Sequence, residues 1–229
     1  MSGNMIKIDG EDGLFEAYIS KPQSGTGPAI VVIQEIFGVN QVMRDVCDWL
    51  ASEGFVAICP DLFWRIEPGI QITDKTKEEW DRAFELYNLF DVEKGVEDIS
   101  ATVKYAAGLG QKVGTVGYCL GGYLSFLAGV RTAADASVCY YGIGIDNHLE
   151  EAEKCDTPIM LHIATEDGFV SKESQEKLKS GLTKPNYVLN WYQGRDHAFA
   201  REGGEHYDKD DAELANGRTL EFLREKLSA

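Results

Sequence analysis

A chain of 229 residues with 44% hydrophobic and 26% charged side chains can bury a real core, which excludes a disordered tract. Its 22 basic against 38 acidic residues leave a formal charge of −16, which repels phosphate backbones and anionic membrane surfaces and disfavours nucleic-acid binding. The longest apolar runs, such as Ala29 to Ile33, are far too short to cross a bilayer, the amino terminus MSGNMIKIDG has no apolar leader core, and five cysteines without a C-x-x-C pair fit a reducing compartment, so a cytoplasmic protein is expected.

Apolar runs of strand length alternate with stretches of helical period, which predicts one α/β domain over 1–229 with a mostly parallel sheet flanked by helices on both faces. In chain order the strands are MIKID, LFEAYIS, PAIVVIQ, FVAICP, KVGTVG, ASVCYYG, PIMLHIAT and YVLNWY, the first two forming an antiparallel edge hairpin around Gly10 to Gly13. Val42, Val46, Trp49 and Leu50 predict the apolar stripe of a helix ending near Gly54. The segment Pro60 to about Ile72 has little periodicity and is expected as a surface loop near the site. Thr76 followed by Glu79 is a capping box opening a helix that carries Trp80, Phe84 and Tyr87. Val96, Ile99, Val103 and Ala106 mark another helix, and Leu220, Leu223 and Leu227 a closing one.

The strand KVGTVG runs into Gly117-Tyr-Cys-Leu-Gly121 and then the helical GYLSFLAGV. Strand, G-x-nucleophile-x-G pentapeptide and helix are what a nucleophile elbow requires, with glycines where side chains would collide with backbone. Cys119 is the nucleophile of that reading; a buried structural cysteine is the alternative. A free thiol titrates near ~8.5, and helix amino termini or imidazolium neighbours favour its thiolate. Cys47, Cys59, Cys139 and Cys155 lie in helix, strands or a plain turn and are read as core or incidental.

An elbow takes its acid and then its histidine from the ends of later strands. Glu166-Asp167-Gly168 follows PIMLHIAT, and Gly194-Arg195-Asp196-His197 follows YVLNWY, which selects Asp167 and His197. Asp167 is preferred to Glu166 because D-G before a helix start presents a short carboxylate. His162 falls mid-strand as a core residue, His148 starts a polar helix, and His206 sits in a charged tail. The oxyanion hole is assigned to the backbone N–H groups of Ile36, after the third strand, and Leu120, after the nucleophile. Glu35 would be costly to bury unless partnered; a solvated strand-end charge is the other reading.

With Gln-Glu-Ile-Phe-Gly, Gly-Tyr-Cys-Leu-Gly-Gly, Glu-Asp-Gly and Arg-Asp-His-Ala-Phe-Ala-Arg in this order, and Pro60-Asp61-Leu62 after the fourth strand, the chain resembles the dienelactone hydrolases (carboxymethylenebutenolidases). The resemblance implies an α/β-hydrolase fold and a Cys119, His197, Asp167 triad that opens an enol-lactone to maleylacetate. It implies that Glu35 holds the resting thiol and takes its proton when substrate arrives, and that Arg201 binds a substrate carboxylate. The second arginine of that family falls on Trp80, whose pocket neighbours are Phe84, Tyr87 and Phe37; Arg82 points about 200° away around the helix. That departure leaves open a related esterase or thioesterase for a bulkier or uncharged acyl group. A non-enzymatic reading, a thiol sensor or binding protein on a hydrolase scaffold, is weakened by the filled triad positions. No motif calls for a metal or cofactor, and the expected partner is a small lactone or ester bound by a monomer.

Overall fold

The fold is given by a computed structural model that describes residues 3–109 and 112–228. Its strands are β1 (Asn4–Gly10), β2 (Gly13–Ser20), β3 (Ala29–Ile33), β4 (Val56–Pro60), β5 (Val113–Tyr118), β6 (Ala136–Tyr140), β7 (Ile159–Ala164) and β8 (Tyr187–Tyr192). The helices are α1 (Gln41–Ser52), α2 (Lys77–Leu89), α3 (Val92–Ala107), α4 (Leu120–Arg131), α5 (Leu149–Glu153), α6 (Lys172–Gly181) and α7 (Lys209–Leu227), with a 3₁₀ turn over Ile145–His148. All eight strands join one sheet in the order β1-β2-β4-β3-β5-β6-β7-β8. β3 to β8 run parallel, and β1 and β2 form the expected antiparallel hairpin, Gly10 facing Gly13, docked on β4.

Alternation along the inner strands splits the core into two layers. Ala29, Val31 and Ile33 pack with α3 and α4 on one face, where Ile99, Val103, Leu124 and Leu127 meet them; Ile30 and Val32 pack on the other with Met43, Leu50, Phe222 and Leu223 of α1 and α7. The chain steps from β3 to β4 on one side and returns to β5 on the other, so the strand order reverses between β3 and β5. Loops leaving the carboxyl ends of neighbouring strands diverge there and open a crevice.

Three local expectations are corrected. The buried stripe of α1 is Met43, Cys47, Leu50 and Ala51, while Val42, Val46 and Trp49 are only half-buried, because their side of the helix overhangs a cleft rather than the sheet. Residues 60–72 are not simply a surface loop. Leu62 and Phe63 enter the core, and the Asp61 carboxylate accepts from the amides of Phe63 (3.0 Å) and Gly69 (2.7 Å), which folds the segment on itself. In α7 Leu223 and Leu227 are buried, but Phe222 replaces the half-buried Leu220 in the core. The capping box of α2 is present, with Thr76 accepting from the Glu79 amide and the Glu79 carboxylate reaching back to Thr73.

Candidate active site

The crevice between β3 and β5 is where the turn after β5 presents Cys119. The cysteine has φ 56° and ψ −117°, outside the comfortable regions for an L-residue, and its amide donates to Tyr140 O at 3.1 Å. The strain persists because the glycines around it permit backbone to touch backbone. A Cβ on Gly117 would sit 1.8 Å from Gly121 O, and one on Gly121 would sit 2.2 Å from Ile33 O. Helix α4 is held on the sheet by a buried hydroxyl cluster, Thr115 Oγ1 meeting Ser125 Oγ at 2.7 Å and Ser137 Oγ at 2.8 Å.

Loops after β7 and β8 bring the acid and the imidazole to the same edge. His197 Nδ1 lies 2.9 Å from Asp167 Oδ2, and Asp167 Oδ1 accepts the Phe169 amide at 2.8 Å, which fixes the carboxylate in its turn. Glu166 points outward to Lys172 instead, 2.8 Å away. The residue before the histidine does work that its sequence position left unassigned: Asp196 Oδ1 accepts from the amides of Gly168 (2.9 Å) and His197 (2.6 Å), clasping the two loops together. Burial raises the Asp196 pKa, but these two amides and the nearby imidazoles hold it below the usual carboxylate range. Phe169 packs edge-on against His197, with centroids 4.9 Å apart.

His197 Nε2 is buried and closes no well-formed hydrogen bond, yet the Cys119 thiol is near enough to act on the ring. Burial pulls the imidazole pKa down; the Asp167 hydrogen bond, the thiol contact and the charges of Cys119 and Asp167 outweigh it and carry the value to about 10. The ring is therefore set up as an imidazolium beside sulfur. His162 and His148 lie elsewhere. His162 is enclosed by Tyr192 OH (2.8 Å) and Thr219 Oγ1 (2.9 Å), and burial holds it neutral with a pKa of about 3. His148 contacts Tyr123 OH and Glu151, and His206 lines the cleft above His197 rather than a remote tail. Among the cysteines only Cys119 is partly exposed.

Ile36 and Leu120 flank the crevice, and neither backbone N–H has a hydrogen-bond partner among the described residues. Glu35 is 1% exposed, so it is a buried carboxylate and not a solvated strand end. Its Oε2 meets Arg201 Nη1 at 3.3 Å, and no hydrogen bond joins it to Cys119. A buried carboxylate requires a cation, and Arg201 supplies it. Arg201 is also 3.0 Å from Asp74, which no sequence motif marked. Burial works against its charge, but Glu35, Tyr141 and Asp74 raise its pKa, so the guanidinium stays charged.

A cleft of about 360 Å³ lies over His197, lined by Trp80, Phe169, Arg201, Asp74 and Lys75. Trp80 stands edge-on to buried Phe37 (5.1 Å) and stacks on Phe84 (5.7 Å), while its indole N–H donates to Asp74 O at 3.1 Å. Phe84 and Tyr87 themselves are 43% and 44% exposed and do not line this cleft. Arg82 turns away to Glu85 and Glu67.

A profile of the Dienelactone hydrolase family matches residues 15–227. A protein of Azospirillum brasilense is 48% identical over 224 residues, covering 95% of this chain and 96% of its own. The carboxymethylenebutenolidase of Pseudomonas putida is 38% identical over 223 residues, 95% and 94% of the two chains. Among solved structures, one from Klebsiella pneumoniae subsp. pneumoniae superposes with a TM-score of 0.84 at 23% identity, over 96% of this chain and 97% of that one, and gives the α/β-hydrolase fold.

Two outcomes are expected. Gly121→Ala, whose methyl has only backbone to displace, costs at least about 3 kcal/mol and lowers Tm by roughly 6–12 °C in thermal unfolding. By NMR titration, His197 holds its proton to about pH 10 in the free protein and titrates lower once Cys119 is alkylated. A pKa raised from the ordinary 6.5 contributes stability below about pH 6.5 that is lost as pH climbs through about 10. Alkylation flattens that loss.

Proposed function

The chain belongs to the dienelactone hydrolase family and is a carboxylic-ester (lactone) hydrolase, and on that premise we propose that it opens a dienelactone-type enol-lactone through a Cys119 thiolate. The observation that carries this reading is the Asp167–His197 contact of 2.9 Å beside a cysteine held at φ 56°. In the proposed cycle a substrate carboxylate takes up Arg201, which releases Glu35 to accept the thiol proton. Sulfur adds to the lactone carbonyl, the oxyanion is received by the N–H groups of Ile36 and Leu120, and the ring C–O bond breaks to expel the enolate, which takes the proton of the His197 imidazolium. Acylation consumes the thiolate that had raised the His197 pKa, so the imidazole falls back toward the neutral range where it can take a proton from water. The hydroxide so formed adds to the thioester, the C–S bond breaks, and the leaving sulfur takes back the proton held by Glu35. Asp167 holds the ring in the tautomer this requires.

A second reading has its own support. Arg201 already faces two carboxylates, Glu35 and Asp74, and the cleft wall beside it is Trp80 backed by Phe37. That surrounding favours an uncharged, bulkier acyl group over a carboxylate-bearing one. Comparing kcat/KM on dienelactone and on a neutral aryl ester decides between them, and a higher value on the neutral ester removes the first.

Cys119→Ala and His197→Ala are each expected to lower kcat by roughly 10²-fold or more while the circular-dichroism spectrum stays native. Retention of more than about a tenth of wild-type kcat in either variant refutes the triad assignment. Asp74→Asn, which removes a competing anion from Arg201, raises kcat/KM for a carboxylate-bearing lactone by about 3- to 10-fold and leaves a neutral ester unchanged.

A further inference from the structure

The cleft over His197 holds a basic side chain that the proposed cycle does not use. Lys75 lines it together with Asp74, Trp80, Phe169 and Arg201. The lysine stands just ahead of the capping box of α2, and its amide donates to Thr73 Oγ1 at 3.3 Å, which roots the side chain at the rim. Its stem is free to swing, with 61% of the side chain exposed. Arg201 is the opposite: 10% exposed, paired with Glu35 at 3.3 Å and set over the Phe37 ring at 5.2 Å. The two cations converge on one carboxylate. Asp74 Oδ1 meets Lys75 Nζ at 3.1 Å and Asp74 Oδ2 meets Arg201 Nη2 at 3.0 Å, so each oxygen has a cation of its own.

Without the lysine the site would turn an anion away. Arg201 alone faces Glu35 and Asp74, one positive charge against two negative, and Glu205 lines the same cleft. On a molecule of net charge −16, an arriving anion then meets repulsion at long range and no positive surplus at close range. Lys75 brings the cluster around Arg201 to two charges against two. Its ammonium has three N–H donors, of which Asp74 and Gly203 O engage two. Its swing lets it follow an incoming carboxylate that Arg201, pinned by Glu35, can only receive. Asp74 is thus the tethered occupant of a two-cation receptor: a guanidinium and an ammonium that bracket its two oxygens can bracket those of a substrate. Trp80 and Phe169, in the same lining, give an apolar surface for the rest of that molecule. We propose that Lys75 is a carboxylate-binding residue of this cleft and, with Arg201, selects substrates that carry a carboxylate on an apolar or conjugated body. The proposal rests on the reading of the cleft over His197 as the substrate site.

The probes are trans-cinnamate and its neutral counterpart cinnamamide, titrated calorimetrically into the full-length protein at low salt. Lys75→Gln weakens cinnamate binding by about 3- to 10-fold, between the worth of a screened surface pair and that of a charge-assisted hydrogen bond, and leaves the Kd of cinnamamide within about twofold. Lys75→Arg keeps cinnamate within about twofold of wild type. The loss persists when Asp74→Asn is already present, because the lysine still meets the ligand; a lysine that only neutralised Asp74 would have nothing left to do there. Lys75 is a surface side chain, so the variants melt within about 2 °C of wild type, and Lys75→Met replaces Lys75→Gln should that one melt lower. Cinnamate that binds wild type no better than Lys75→Gln overturns the proposal. So does an equal loss for cinnamamide, or a loss that disappears in the Asp74→Asn background. Failure of the protein to turn over dienelactone, with cinnamate binding as described, removes the lactone reading and leaves Lys75 in its role. Turnover of dienelactone with cinnamate binding unchanged by Lys75→Gln does the reverse.

Discussion

The approach of backbone to backbone at the β5–α4 turn is the constraint on which the site rests. With Gly121 so close to Ile33 O and Gly117 to Gly121 O, the helix starts directly beneath the sheet's carboxyl edge, and Cys119 has no conformation left except a strained one that holds its side chain out of the turn. The same closeness brings the end of β3 beside the start of α4. That juxtaposition is why Glu35 and Ile36, which follow β3, and Cys119 and Leu120, which follow β5, share a crevice, although more than eighty residues separate them in the chain. The strain is tolerated because the sheet continues on both sides of β5 and a buried hydroxyl cluster pins α4 to it.

Electrostatics completes what the turn begins. Two loops from neighbouring strands meet at His197, and Asp196 and Asp167 divide the labour. One carboxylate fastens the backbones, and the other charges the ring. Because the charge on Cys119 helps raise the His197 pKa, the proton affinity of the imidazole follows the state of the sulfur. A ring whose basicity depends on the charge of the neighbouring sulfur suits the two-step acyl transfer proposed above, which asks it first to hold a proton and later to accept one.

The inner strands were legible in the sequence because β3 to β7 are covered on both faces, so that nearly every residue in them is apolar and the runs end where the strands end. The elbow was legible because its glycines answer a local steric demand. The order of acid and histidine was legible because a parallel sheet delivers successive loops to one edge. Asp74 escaped notice because its partner is remote in the chain, and nothing in Thr73-Asp74-Lys75 signals a guanidinium. The stripe on α1 was misassigned for a related reason. Val42, Val46 and Trp49 have the period of a buried face, but periodicity records which residues are apolar and not whether they meet a sheet or a cleft.

Arg201 explains how a chain with a net charge of −16 can keep an acid in its interior. Excess surface carboxylate makes the protein a poor host for another buried anion, and Glu35 is held only because one guanidinium, itself 10% exposed, stands between it and Asp74. A single cation shared by two carboxylates is not saturated by either. Any anion that enters the cleft over His197 must compete for it; Asp74 keeps Lys75 at 3.1 Å as a second partner, whereas the second oxygen of buried Glu35 is unpaired among the described residues. The burial that makes Glu35 expensive thus also ties it to the balance at Arg201 between itself and Asp74.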